Sequence, residues 1–154
     1  MRVAQLLTLA RTLGPGALKA VGRLAPLVAT HPEALDQGRR LLDQLAQARA
    51  GRSPEERLRR TIAALREEAV RARDRAEAAG APGGESERAA EWVRSADSLA
   101  TALALALVGM RQGADRRRDL ARVQARTDAL FAEVFTATVG DAGGSGASAP
   151  GPTV

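Results

Sequence analysis

Apolar residues recur along much of the chain at alternating intervals of three and four, the spacing that places side chains on one face of an α-helix. Two long series keep this spacing. The first is Leu58, Ile62, Leu65, Ala69, Ala72, Ala76 and Ala79, and the second is Ala89, Trp92, Ala96, Leu99, Leu103, Ala106 and Met110. Apolar seams sustained over three heptads are typical of helices that pack side by side. The pattern therefore predicts an all-α protein, a coiled-coil-like helical bundle.

Capping and turn residues divide the region 31–139 into four predicted helices, at about 32–49, 54–79, 86–111 and 115–139. The clearest start is Ser53-Pro54-Glu55-Glu56, in which Ser53 can cap the helix, Pro54 fits the first helical position and Glu56 can bond back to the cap amide. Gly113 favours a turn between the last two helices, because glycine destabilises a helix interior. A continuous helix over 86–139 with a stutter in its heptad phase is the alternative.

The glycine-rich segment 80–84 joins two helices of matched length, which predicts an antiparallel hairpin. Folding the chain at these glycines places Ala72 opposite Trp92 or Val93, and Ile62 opposite Leu103. A large residue opposite a small one is how packed helices interdigitate. The hairpin register is thus a prediction at the level of residue pairs.

The most apolar run is LATALALALVGM, from Leu99 to Met110. It is shorter than the roughly 20 apolar residues that a membrane-spanning helix needs. As a helix it is apolar on nearly every side, because Leu105 points away from the face shared by Leu99 and Leu103. Such a helix must be covered on several sides. We therefore expect it to lie at the centre of the bundle.

The two ends of the chain differ from the bundle in composition. Residues 1–30 form a predicted amphipathic helical arm that contains four cationic side chains and no acidic one. Such an arm can lie on an anionic membrane surface. The residues assigned to that contact are Arg2, Leu6, Leu7, Arg11, Leu18, Lys19, Arg23 and Leu24. The alternative is that the arm packs on the end of the bundle. Residues 140–154, rich in Gly, Ser, Ala and Pro, are predicted to be a flexible tail.

Positive charge is concentrated in residues 111–126, which contain six arginines and two aspartates. The candidate polyanion-binding residues are Arg111, Arg116, Arg117, Arg118, Arg122 and Arg126. Like charges four residues apart repel each other on a helix face. Either an external anion or the intervening Asp115 and Asp119 must offset this repulsion, and we favour the two aspartates.

No catalytic constellation is present in the sequence. There is no cysteine, His31 is the only histidine, and no phosphate loop, nucleophile elbow or zinc motif occurs. We therefore predict no metal, no cofactor and no enzymatic activity. The arginine bias, with Lys19 the one lysine among 23 basic side chains, is typical of a GC-rich, bacterial genome.

The function that best fits these observations is a cytoplasmic interaction or scaffold protein, which self-associates or binds a partner protein and contacts the inner membrane face through residues 1–30. The first alternative is a basic nucleic-acid-binding protein that uses the arginines of residues 111–126. No RNA- or DNA-binding module and few stacking aromatics accompany those arginines, which disfavours this alternative. An enzyme of unknown class is the least favoured alternative.

Overall fold

The computed structural model describes residues 8, 11, 18, 19, 21–23, 32–50, 53–80, 84–108 and 113–144, with the side chains of 32–35 and 141–144 excluded. Within these ranges, four helices have defined bounds: α1 (Pro32–Ala48), α2 (Pro54–Ala78), α3 (Glu85–Val108) and α4 (Ala114–Gly144). These ranges contain no strand, so the all-α prediction is confirmed. None of the helices in these ranges is both long enough and apolar enough to cross a membrane.

Local sequence signals account for the helix starts and the turns. The Ser53 Oγ accepts a hydrogen bond from the Glu56 amide at 3.1 Å, with Pro54 in the first turn. The Glu56 carboxylate contacts Arg60 one turn later instead of returning to the cap amide. Gly113 has a φ of +77°, a backbone conformation that favours glycine. This residue precedes α4, so the segment 86–139 contains two separate helices.

Helices α2 and α3 are antiparallel. The Arg66 Nε lies 2.6 Å from the Asp97 Oδ1, and the Ser86 Oγ lies 3.4 Å from the Glu77 Oε1, so residues later in α2 meet residues earlier in α3. Both helices contribute their seams to one core, which includes Leu58, Ile62, Leu65, Ala69, Ala89, Trp92, Ala96, Leu99 and Leu103. The individual pairings of Ala72 with Trp92 and of Ile62 with Leu103 remain predictions.

Helix α4 buries two rows of side chains. One row includes Val123, Thr127, Leu130 and Val134, and a second row adds Phe131, Phe135, Thr138 and Val139. The second row packs against α1, where a Cβ added at Gly38 would lie 3.2 Å from the Val139 Cγ2 and 3.5 Å from the Phe135 ring. Helix α1 completes the core with Leu41, Leu42 and Leu45.

Helix α4 ends five residues later than the predicted boundary at 139, at Gly144. The predicted flexible tail over 140–154 is therefore wrong for residues 140–144, and residues 145–154 lie outside the described part of the chain. The physical reason is cooperativity. Once Val134 and Val139 anchor the helix in the core, each further residue adds a hydrogen bond without a new nucleation cost.

The expectation that α3 is covered on several sides at its carboxyl end is wrong. Leu99 and Leu103 are buried, but Leu105 is 69% exposed and Val108 is 83% exposed. The other helices cover the seam of α3 and leave the opposite side of its last two turns open to solvent. An apolar surface remains there, next to α4.

The N-terminal arm is described at only a few positions. Val21 is 1% exposed and belongs to the core, whereas Arg11, Leu18, Lys19 and Arg23 are exposed. The burial of Val21 favours packing of the arm on the bundle at this point. Arg2, Leu6, Leu7 and Leu24, named as membrane-surface residues, lie outside the described residues, as does His31.

Candidate functional site

An open groove between α3 and α4, with a volume of about 350 Å³, lies beside the exposed apolar residues of α3. Its apolar lining is Ala102, Leu105, Ala106 and Val123, and its polar lining is Asp119, Arg122 and Arg126. A second opening of about 180 Å³ extends the groove towards Ser95 and Glu133. Arg126 lines both openings and is therefore at the middle of the surface, which we call the α3–α4 groove.

The two walls of the α3–α4 groove differ in charge. The α3 wall, from Ser98 to Val108, contains no charged side chain. Its small Ala102 and Ala106 leave space between the helices, while Leu105 projects at the edge. The α4 wall supplies the charge, since Arg118, Arg122 and Arg126 recur every four residues on one face of that helix. The surface is thus an apolar strip bordered on one side by arginines.

The candidate polyanion-binding arginines have different environments. Arg118 lies 3.8 Å from Asp115, and Arg122 lies 3.6 Å from Asp119, the two aspartates favoured as their partners. Arg116 lies 3.7 Å from Glu55 on α2, so this arginine links two helices. Glu55 therefore forms an ion pair with a different helix of the bundle.

Arg117 and Arg126 form no ion pair within the described part of the chain, and both are exposed. Arg111, the sixth candidate, lies outside that part. The Arg118–Asp115 ion pair is largely exposed to solvent, where such pairs contribute about 0–1 kcal/mol. In the second pair Arg122 is exposed, whereas the Asp119 side chain is only 27% exposed. An incoming carboxylate can therefore replace Asp115 at little cost in free energy.

Sequence reasoning missed the most informative part of this surface. The uniformly apolar run around Leu105 and Val108 predicts that both lie in the core. The helical spacing indicates otherwise. Leu105 is not part of the three-and-four seam that contains Leu99 and Leu103, and the buried residues of α3 all belong to that seam. The seam phase was therefore a better guide to burial than the total hydrophobicity of the run.

The described residues contain no group of three or more His, Asp or Glu side chains that could hold a metal ion. Comparisons of the chain with protein-family models, with curated proteins and with solved structures give no match. The chemistry of the α3–α4 groove is therefore the main indication of function.

Proposed function

We propose that this chain is a non-enzymatic interaction protein that binds an acidic amphipathic helix of a partner protein in the α3–α4 groove. The observation that supports the proposal most directly is the exposure of Leu105, which lines the groove together with Arg126. Val108, three residues further along α3, is also exposed. Exposed apolar surface of this kind, bordered by polar residues, marks interaction sites in soluble proteins.

The apolar part of the α3–α4 groove supplies the binding free energy. Leu105 and Val108 are three residues apart, so they lie on the same side of α3 and can enter one partner together. Fully burying a side chain of this size is worth about 1.5–3 kcal/mol. An amphipathic helix presents apolar side chains at matching intervals, which is the usual way a helix occupies an apolar groove.

The charged part selects the partner. The described segment 114–126 contains five arginines and two aspartates, and the facing wall of α3 contains no charge. A partner with glutamate or aspartate beside its apolar stripe complements this edge. A second copy of this chain would bring its own row of arginines towards the first, so a different, acidic protein is favoured over self-association.

The test is binding of a labelled amphipathic peptide of about 20 residues, a helix length of about 30 Å, measured by fluorescence anisotropy. One version has glutamates on its polar face and the other has lysines, with identical apolar residues. We expect the acidic peptide to bind and the basic peptide to bind at least about 10-fold more weakly, which corresponds to about 1.4 kcal/mol.

Matched variants separate the contributions of the apolar and the charged part of the groove to peptide binding. Leu105→Ser and Arg126→Glu should each weaken binding of the acidic peptide by about 10-fold or more. The controls Leu18→Ser and Arg88→Glu alter an exposed leucine and an exposed arginine that do not line the groove, and should leave binding unchanged. Both test residues are exposed, so neither change should lower the melting temperature appreciably.

A duplex DNA of mixed sequence tests the nucleic-acid alternative in the same assay. Binding of DNA with a steep salt dependence, weakened by Arg126→Glu but unchanged by Leu105→Ser, would show phosphate contacts without an apolar contribution. That result, together with no binding of the acidic peptide, contradicts the proposal and supports the alternative.

A further inference from the structure

A second cavity, of about 360 Å³, opens where α1, α2 and α4 meet, away from the α3–α4 groove. Its lining is mostly polar, with Arg40 and Gln44 from α1, Glu68, Arg71 and Arg75 from α2, and Thr138 from α4. Three arginines around one cavity create a local excess of positive charge. We call this the junction cavity.

Glu68 holds two of these arginines in place. Its side chain is only 10% exposed, and its two oxygens accept from the Arg71 Nε at 3.1 Å and the Arg75 Nη2 at 3.0 Å. Arg71 also donates to the Gln44 Oε1 at 3.0 Å, which ties α2 to α1. A buried carboxylate of this kind fixes guanidinium groups before any ligand arrives, so less conformational entropy is lost on binding.

The positive charge exceeds the local negative charge. Arg40, Arg71 and Arg75 contribute three positive charges, and Glu68 contributes one negative charge from within the cavity lining. Glu67 contacts Arg71 from outside at 3.1 Å. No ion pair forms at Arg40 among the described residues, and this arginine is exposed. Arg40 and the remaining donors of Arg75 are therefore available to an anion.

Thr138 gives a second, independent indication of a ligand. It is 8% exposed, and its Oγ1 is shielded from solvent without a hydrogen-bond partner. The other two buried threonines among the described residues, Thr61 and Thr127, donate to the carbonyl oxygen one turn earlier in their helices. A buried hydroxyl without a partner costs free energy. Thr138 forms part of the cavity wall, so rotation about its Cα–Cβ bond offers the hydroxyl to a ligand there.

We propose that the junction cavity binds a small molecule through an oxyanion group of the phosphate type. Arginine is the side chain best suited to phosphate oxygens, because its planar array of donors matches their geometry. The volume exceeds that of a phosphate alone, so the group can belong to a small phosphate ester. Glycerol 2-phosphate and inorganic phosphate are the two probes that distinguish an ester from the free anion.

The experiment is a titration of the full chain with each probe. Binding is measured by isothermal titration calorimetry and by amide chemical shifts, and chloride keeps the ionic strength constant. We expect saturable binding with shifts concentrated at the junction cavity. Arg40→Gln and Arg75→Gln should each weaken binding by about 10-fold, the usual effect of losing one charge-assisted hydrogen bond. Tighter binding of glycerol 2-phosphate would identify an ester as the ligand class, and equal binding would identify the free anion.

Two controls keep the result interpretable. Thr138→Val should weaken binding about 5-fold without lowering the melting temperature, while Thr138→Ser, which keeps the hydroxyl, should bind as the parent chain does. Arg94→Gln removes an exposed arginine from α3 that pairs with Glu91, so it tests general charge effects. The proposal is overturned if neither probe binds, if Arg40→Gln has no effect, or if Arg94→Gln weakens binding equally. Arg40 is exposed, so Arg40→Gln remains informative even if Arg75→Gln fails to fold.

Discussion

Replacing Gly38 by alanine measures how closely α1 approaches α4. Gly38 is buried in α1, and an added Cβ would lie 3.2 Å from the Val139 Cγ2. Val139 is fully buried, and a β-branched side chain has few alternative rotamers. The contact at Val139 therefore cannot relax without moving a side chain in the core.

Two opposing effects decide whether Gly38→Ala raises or lowers the free energy of unfolding. Alanine is favoured over glycine in a helix interior by about 1 kcal/mol. Overpacking of a well-packed core costs about 1–3 kcal/mol. The added Cβ at position 38 would be too close to the Val139 Cγ2 by a few tenths of an ångström, and at an ordinary van der Waals distance from the Phe135 ring. We expect the steric cost to prevail, with a net loss of unfolding free energy of about 1 kcal/mol.

Gly140 provides the matched control, because it also lies in a helix but a Cβ there would have no atom within 4 Å. Gly140→Ala should raise the unfolding free energy by up to about 1 kcal/mol. The assay is urea denaturation followed by circular dichroism, with both variants compared at the same temperature.

A double-mutant cycle isolates the contact between Gly38 and Val139. In a Val139→Ala background the short contact is gone, so Gly38→Ala should become stabilising. If Gly38→Ala stabilises the parent chain as much as Gly140→Ala does, α1 and α4 do not approach as closely as the structure indicates.

Four further predictions concern the register of the hairpin, one ion pair and the arm. Ala72→Leu should lower the unfolding free energy by about 1–3 kcal/mol if Ala72 lies against Trp92, and unchanged thermal melts would contradict that register. Burial lowers the pKa of the Arg49 guanidinium, and Asp128, 3.5 Å away, opposes this shift. Asp128→Asn should therefore lower the unfolding free energy by about 1–3 kcal/mol, measured by urea denaturation. Removal of residues 1–30 should lower the melting temperature because Val21 is in the core. Separately, the membrane-surface hypothesis requires the full chain to sediment with anionic but not neutral vesicles.

The helices of the bundle could be predicted from the sequence because their signals are local. Ser53 and Pro54 define the start of α2, and the alternating spacing of Ile62, Leu65 and Ala69 identifies its buried face. Such signals need no knowledge of what the helix packs against. The same holds for the turn at Gly113, where a positive φ favours glycine.

The surfaces could not be predicted in the same way, because they depend on which faces other helices cover. Leu105 is as apolar as Leu103, yet one is exposed and the other buried. The junction cavity combines Arg40, Arg75 and Thr138 from three helices, and no spacing in the sequence indicates that these residues converge. The second buried row on α4, which includes Phe135, is likewise buried because α1 packs against it.

The most direct test of the proposed function is the location of the bound acidic peptide on the protein, measured by methyl chemical shifts in the full chain. The account predicts that the largest changes occur at Leu105, Val108 and Val123, which border or line the α3–α4 groove. Methyl groups of Leu41 and Leu42, in the core on the α1 side, should change little. Binding that leaves Leu105 and Val108 unshifted, or that shifts methyl groups on another face, would contradict the account.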